Sequence, residues 1–270
     1  MKHDMLNITV DYAKAGLPGG GAPKLYTYLR DRSPEIRDRQ RPAIVICPGG
    51  GYGGTSDREA EPIALRFLAE GFSCFVLRYS CLQAPFPGAL LELAAAVALV
   101  RQNAAAWQVD PNKIMVCGFS AGGHLAASLG VFWNRDLVTG PLGLHHQEHR
   151  PNGLILGYPV ITSGEYAHRG SFQNLLADRY DEYVDLVSLE TQVTADTPPC
   201  FLWHTADDDA VPAENSLLFA AALQKQRIPY EMHILPSGPH GLSLATEETD
   251  SPSESCKDWT VWATRWIRSL

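Results

Sequence analysis

Seven short apolar runs recur along the chain: LYTYL (25–29), AIVICP (43–48), SCFVLRY (73–79), KIMVCGF (113–119), GLILGYP (153–159), CFLWHT (200–205) and YEMHILP (230–236). Most are apolar without a break rather than alternating. A strand with apolar side chains on both faces is covered on both faces, which is the situation in a parallel sheet between layers of helix. The stretches between the runs carry helical signals. SDREAEPIALRFLAEG (56–71) opens on Ser56 with Glu59 three residues later, the spacing of a capping box, and closes on Gly71. GALLELAAAVALVRQNAAAW (88–107) predicts one long helix, and AGGHLAASLGVFW (121–133) a second. PAENSLLFAAALQKQ (212–226) places Pro212 in a first helical turn, where its missing amide hydrogen costs nothing. KDWTVWATRWIRSL (257–270) is amphipathic. Strand and helix alternate repeatedly, which predicts a doubly wound, mostly parallel α/β sheet.

Two segments break this rhythm. Residues 134–152 read as loop, and residues 160–197 hold only short helical pieces such as SFQNLLADRY and LVSLETQV. The second segment needs no strand and reads as a small cap insertion between two strands. No repeat, low-complexity tract or linker interrupts the pattern, so residues 1–270 read as one domain.

Composition removes several function classes. The net charge of −8, with no run of Lys or Arg, gives no footprint for nucleic acid or for an anionic membrane surface. The opening MKHDMLNITV is too polar for the core of a signal peptide, and the most apolar stretch, GALLELAAAVALV, contains Glu92 and is too short to span a bilayer. The expectation is a cytoplasmic protein. Of six cysteines, Cys47, Cys74, Cys117 and Cys200 fall inside strand-like runs, the setting of reduced, buried thiols. His145, His146 and His149 have a spacing that hints at metal, but they sit in a polar loop with no cysteine or acidic helix beside them. No metal and no cofactor are expected.

Ligands of such sheets bind beyond the carboxyl ends of the strands. KIMVCGFSAGG is strand, Gly-x-Ser-x-Gly, then helix, with Gly118 and Gly122 flanking Ser120. A side chain at either glycine would collide with backbone in so tight a turn, and the turn lifts Ser120 Oγ above the sheet at a helix amino end. VICPGGGYGG (45–54) also leaves a strand, without the spacing of a phosphate loop. Its glycines let backbone amides face a ligand. The amides of Gly50 and Gly51, with that of Ala121, are the candidate oxyanion hole, and the Tyr52 amide is a rival.

A serine hydroxyl needs a base in reach. His124 should lie below the Ser120 turn, His233 falls within a strand and His204 ends one. His240, in the Pro/Gly-rich stretch after the last strand, can project its ring toward Ser120. The base in turn needs a carboxylate on its other nitrogen. WHTADDDAVP supplies Asp207, Asp208 and Asp209 after the preceding strand. Neighbouring side chains in an extended segment point apart, so one aspartate faces His240 while the other two turn to solvent or to amides entering the next helix. The pattern alone does not choose among them.

The order Ser, Asp, His along the chain is that of the α/β-hydrolases. From the glycine loop onward, CPGGGY…SDREAEPIAL, GFSAGGHLAA, LGYPVIT, FLWHTADDDAVPAENSLLFAAAL and GPHGLSLA resemble one branch of that superfamily. It comprises small carbohydrate esterases related to acetyl xylan esterases and bifunctional acetyl/feruloyl esterases. The resemblance implies an α/β-hydrolase fold with Ser120 as nucleophile and His240 as base. It also implies Asp208 as the acid, four residues before the proline of a Val-Pro pair. Pro48 stands where many related lipases and esterases carry a His before the glycines. The substrate implied is a small acylated carbohydrate such as an acetylated xylo-oligosaccharide. The same triad would serve a feruloyl esterase, or a peptidase or aminoacyl hydrolase, although a peptidase usually brings an accessory domain for which this length leaves no room. Tyr52, Trp133 and the 160–197 segment are candidates for lining the pocket.

Overall fold

The computed structural model describes residues 1–270 except Gln83, His145 and His146. Its eight strands are β1 (Met5–Asn7), β2 (Lys24–Tyr28), β3 (Arg41–Cys47), β4 (Ser73–Arg78), β5 (Val109–Phe119), β6 (Gly153–Gly157), β7 (Cys200–Thr205) and β8 (Tyr230–Leu235). They form one sheet in the order β1-β2-β4-β3-β5-β6-β7-β8. The pairs from β4 to β8 are parallel, while β1 and β2 join the β4 edge antiparallel. The mostly parallel sheet thus matches the pattern of apolar runs. The three-residue β1 was not among them, because an edge strand this short and exposed carries no apolar signal.

The unbroken apolar runs feed two cores at once. In β3, Ala43, Val45 and Cys47 point to one face, while Ile44 and Ile46 point to the other. In β7, Cys200 and Leu202 take the first face, and Phe201 and Trp203 the second. A period of two thus splits each run between two helical layers. Burying a side chain of this size contributes roughly 1.5–3 kcal/mol.

The helices are α1 (Glu61–Ala69), α2 (Gly88–Gln102), α3 (Ala104–Trp107), α4 (Ala121–Phe132), α5 (Asp136–Leu142), α6 (Arg169–Leu176), α7 (Tyr180–Tyr183), α8 (Glu214–Lys225) and α9 (Trp259–Ser269). Three expectations change. First, α1 starts at Glu61 rather than Ser56, and no side chain caps it. Glu59 turns into the interior instead. Second, the long helix over 88–107 breaks at Asn103, where the backbone leaves helical geometry and the side-chain amide donates to Leu99 O at 2.8 Å. Third, the supposed loop at 134–152 contains α5, closed by Gly143 at φ 62°. Within that stretch, His145 and His146 lie outside the described residues, and the His149 Nε2–H donates to Trp133 O.

Residues 160–197 lie between β6 and β7 and contain α6, α7 and short 3-10 turns, with no strand among the described residues. Asn174 Nδ2 donates to Gly51 O at 2.9 Å, and the Phe172 ring meets the His124 ring edge-on at 5.3 Å. The insertion is therefore fastened to the glycine loop and to α4. Among the described residues, no helix is long and apolar enough to cross a membrane.

Candidate active site

Between β5 and α4 a single residue makes the turn. Ser120 has φ 53° and ψ −123°, a conformation that costs a non-glycine residue about 1–3 kcal/mol. The surrounding backbone imposes it. The Ser120 amide donates to Gly157 O at 3.1 Å, and its carbonyl accepts from the amides of Val160 at 3.0 Å and His124 at 3.1 Å. A Cβ at Gly118 would lie 2.1 Å from Gly122 O, and one at Gly122 would lie 2.1 Å from Cys47 O. The two glycines of the motif are therefore demanded by backbone packed against them.

The loop after β8 delivers His240. Its Nε2 is 2.8 Å from Ser120 Oγ, and its Nδ1 is 2.8 Å from Asp208 Oδ2. An ionised carboxylate only accepts, so Nδ1 carries the proton and Nε2 is free to accept from the serine. The edge of the Tyr158 ring packs against the imidazole with centroids 5.1 Å apart.

All three aspartates address this region, each differently. Asp208 Oδ1 accepts from the amides of Ala210 at 3.0 Å and Val211 at 2.8 Å, leaving Oδ2 for His240. Asp207 accepts from Ser237 Oγ at 2.7 Å and the Gly238 amide at 2.8 Å, and Asp209 from the His240 amide at 3.2 Å. As expected, one aspartate faces the His240 ring and the other two are solvent-exposed. Those two also brace the histidine loop, however, and it is Asp208 that takes the amides leading toward α8. The reason is local. After Thr205 the chain is a turn, with the Asp208 amide donating to Thr205 O at 3.4 Å, so neighbouring side chains do not point apart as they would in a strand.

Burial alone would raise the Asp208 carboxyl. Hydrogen bonds from His204 and His240, the attraction of the His240 charge and the Val211 amide outweigh it and hold Asp208 well below the usual carboxylate range. His204 was read from sequence only as the end of a strand. It is fully buried, its Nδ1 is 2.8 Å from Ser216 Oγ, and its Nε2–H donates to Val211 O at 2.9 Å while lying 3.3 Å from Asp208 Oδ2. The available signal was a histidine inside the apolar run CFLWHT, because a buried imidazole needs partners. Glu59 was missed as well. Its Oε2 accepts from the Gly49 amide and its Oε1 from Tyr158 OH, both at 2.7 Å.

The glycine loop reaches the same place. Gly50, Gly51 and Tyr52 all have positive φ, at 131°, 61° and 57°. Among the described residues, the amides of Gly50, Gly51, Tyr52 and Ala121 donate to no protein acceptor. The Tyr52 side chain itself is buried behind the loop, its OH donating to His124 Nδ1 at 2.9 Å. His124 lies below the turn as expected, with Nε2–H donating to Val187 O at 2.9 Å. Trp133 is not brought to the group. It ends α4, thirteen residues beyond Ser120, or about 20 Å at helical rise, and its indole donates to Asp196 O at 3.0 Å. The insertion contributes His168 instead. Burial lowers its affinity for a proton, and so does repulsion from His240, against the attraction of Asp208. Among the described residues, no group of three or more His, Cys, Asp or Glu side chains is arranged to hold a metal ion.

The model of the BD-FAE family matches residues 32–223. The chain belongs to this family. The match covers Ser120 and the aspartates and ends before His240. A Butyrivibrio fibrisolvens protein named endo-1,4-beta-xylanase B is 39% identical over 234 residues, which is 85% of this BD-FAE chain and 36% of that protein. The acetylxylan esterase of Xylanibacter ruminicola is 29% identical over 211 residues, 76% of this chain and 42% of that protein. The BD-FAE chain thus spans less than half the length of these two curated relatives. The crystal structure of the acetyl ester-xyloside bifunctional hydrolase from Caldicellulosiruptor lactoaceticus superposes with a TM-score of 0.84 at 38% identity, covering 98% of this chain and 96% of that one. The fold is that of the α/β-hydrolases.

Proposed function

We propose that this BD-FAE chain acts as a serine carboxylester hydrolase that removes acetyl groups from small acylated carbohydrates such as xylo-oligosaccharides, with residues 1–270 as one catalytic domain. The observation that carries the reading is the hydrogen-bonded run from Asp208 through His240 to Ser120, 2.8 Å at each step, beside a loop of unengaged amides. Ser120 Oγ attacks the ester carbonyl as His240 Nε2 takes its proton, and Asp208 stabilises the imidazolium. The carbonyl oxygen becomes an oxyanion held by the amides of Gly50, Gly51 and Ala121, with Tyr52 the competing donor. Losing one such donor costs ~10²–10³ in turnover. The imidazolium returns the proton to the departing sugar oxygen, which leaves acetyl on Ser120. Water enters, gives a proton to His240 and its oxygen to the acyl carbon. Acetate departs and Ser120 regains its proton. The preference for acetylated sugars draws support from the names of the acetylxylan esterase and the acetyl ester-xyloside hydrolase that the chain resembles.

The test is a panel of acetylated xylo-oligosaccharides, feruloyl esters, aryl xylosides and aminoacyl amides, run with and without a phosphonate that labels serine. The expected result is acetyl release that dominates the panel and vanishes as one phosphonate attaches per chain at Ser120. Faster cleavage of amides or xylosides than of acetyl esters, or acetyl release that survives complete labelling, would overturn the assignment.

A further inference from the structure

We propose that Glu59 is a positioning residue of the active site, its buried carboxylate tying the glycine loop and the histidine loop into one frame around Ser120. The proposal rests on the ester-hydrolase reading above. Glu59 is 3% exposed and belongs to no helix. A carboxylate so placed costs stability unless its oxygens are engaged, and both are. Oε2 accepts from Gly49, the residue just before the candidate oxyanion amides of Gly50 and Gly51. Oε1 accepts from Tyr158 OH, whose oxygen accepts the Ser243 amide at 2.8 Å. Ser243 lies three residues past His240, and the Tyr158 ring packs on the imidazole itself. Ser243 is held from further sides, since its hydroxyl donates to Arg58 O and its carbonyl accepts the Trp259 indole at 2.8 Å.

Gly49 shows how little slack exists. A Cβ there would lie 2.8 Å from Glu59 Oε2 and 2.9 Å from Ser120 Cβ, so this backbone is wedged between the carboxylate and the serine. The donor pattern favours the charged form. Gly49 N–H can only donate, and Tyr158 OH donates to Glu59 while accepting from Ser243. A carboxamide nitrogen or a carboxyl O–H facing Tyr158 would force the phenol to turn its hydrogen away. Burial pushes the Glu59 carboxyl up, against the pull of Tyr158, Gly49, His240 and Arg58. Tyr79 and Cys117 are the other ionisable groups that feel its charge, and His240 is the one closest to the chemistry.

Glu59→Gln keeps the shape and removes the charge. Misplacing groups by about 1 Å costs up to ~10²-fold in rate, so kcat on an aryl acetate should fall ~10- to 100-fold with KM within about threefold. A nearby carboxylate favours the imidazolium, so its removal should also move the acid limb of the kcat/KM profile to lower pH. Tyr158→Phe leaves the charge in place, should cost less, and should combine with Glu59→Gln less than additively. Titration with a serine-directed phosphonate counts correctly folded sites. A kcat loss that matches the loss of titratable Ser120, with the acid limb unmoved, would reduce Glu59 to a folding role and overturn the proposal. The His240 imidazole titration, followed by NMR in the resting protein, reads the same effect without turnover. A downward shift in Glu59→Gln supports the proposal and an unmoved titration sinks it. Absence of ester turnover in the unmutated protein sinks the hydrolase reading instead.

Discussion

Two carboxylates act on the His240 loop, Asp208 after β7 by direct contact with the imidazole and Glu59 before α1 through Tyr158, and their surroundings push them in opposite directions. Both are nearly sealed from water, the Asp208 side chain at 1% exposure and Glu59 at 3%. Glu59 nevertheless lies the deeper of the two, with Asp208 nearer the surface. Asp208 bonds two backbone amides on one oxygen and an imidazole on the other, with a second imidazole at 3.3 Å, and its carboxyl is held low. Among the described residues, Glu59 bonds one amide and one phenol and no cation, and burial outweighs the more distant attraction of His240 and Arg58. Deeper burial pushes Glu59 up, while the larger number of donors and the closeness of an imidazole hold Asp208 down. On the proposed mechanism, Asp208 is suited to face an imidazolium at every turnover, and Glu59 to hold backbone.

The largest expected effect concerns the group both carboxylates serve. Ser120→Ala should lower acetyl-ester turnover by ~10⁴–10⁶ without loss of fold. Adding Glu59→Gln to it should change little further, and a large extra loss would mean that Glu59 acts outside this relay. Next comes the contrast among the three aspartates. Asp208→Asn should cost ~10⁴ in kcat. Asp207→Asn and Asp209→Asn each weaken a bond to the histidine loop worth about 1 kcal/mol, so their cost should stay within ~10-fold. If Asp207→Asn is the severe change, the acid has been assigned one residue too late.

The smallest expected effect is on stability, and it uses a base as the counterpart of Glu59. Burial lowers the His124 pKa from 6.5 to about 4, so the folded protein keeps this ring neutral where the unfolded chain would bind a proton. The unfolded state then binds more protons across this window, and stability falls as pH drops from 6.5 toward 4. The loss should be on the order of 2–3 kcal/mol by pH 4. Denaturant unfolding at a series of pH values measures it, and His124→Gln should flatten the slope. An unchanged slope in His124→Gln would place the acid sensitivity elsewhere.

The strands and the Ser120 turn were legible because each is written in neighbouring residues. CFVL and IVIC bury both faces, and Gly118 and Gly122 leave one path for the chain. Asp208 was legible only by resemblance, since its selection over Asp207 depends on a turn that forms as the Asp208 amide bonds Thr205. Glu59 was misread because Ser56 and Glu59 have the spacing of a helix cap, a local bond worth about 1 kcal/mol. What won was a pairing with Tyr158, ninety-nine residues away, which no local pattern announces. His204 belongs to the same class, as its partners Ser216 and Val211 come from beyond the next turn.

The relay draws its members from the ends of β5, β7 and β8, whereas the 160–197 segment enters between β6 and β7 and touches the glycine loop through Asn174. On the esterase reading proposed above, residues 161–197 are the stretch to exchange when asking what selects the departing alcohol, with Val160 kept because its amide holds the Ser120 carbonyl.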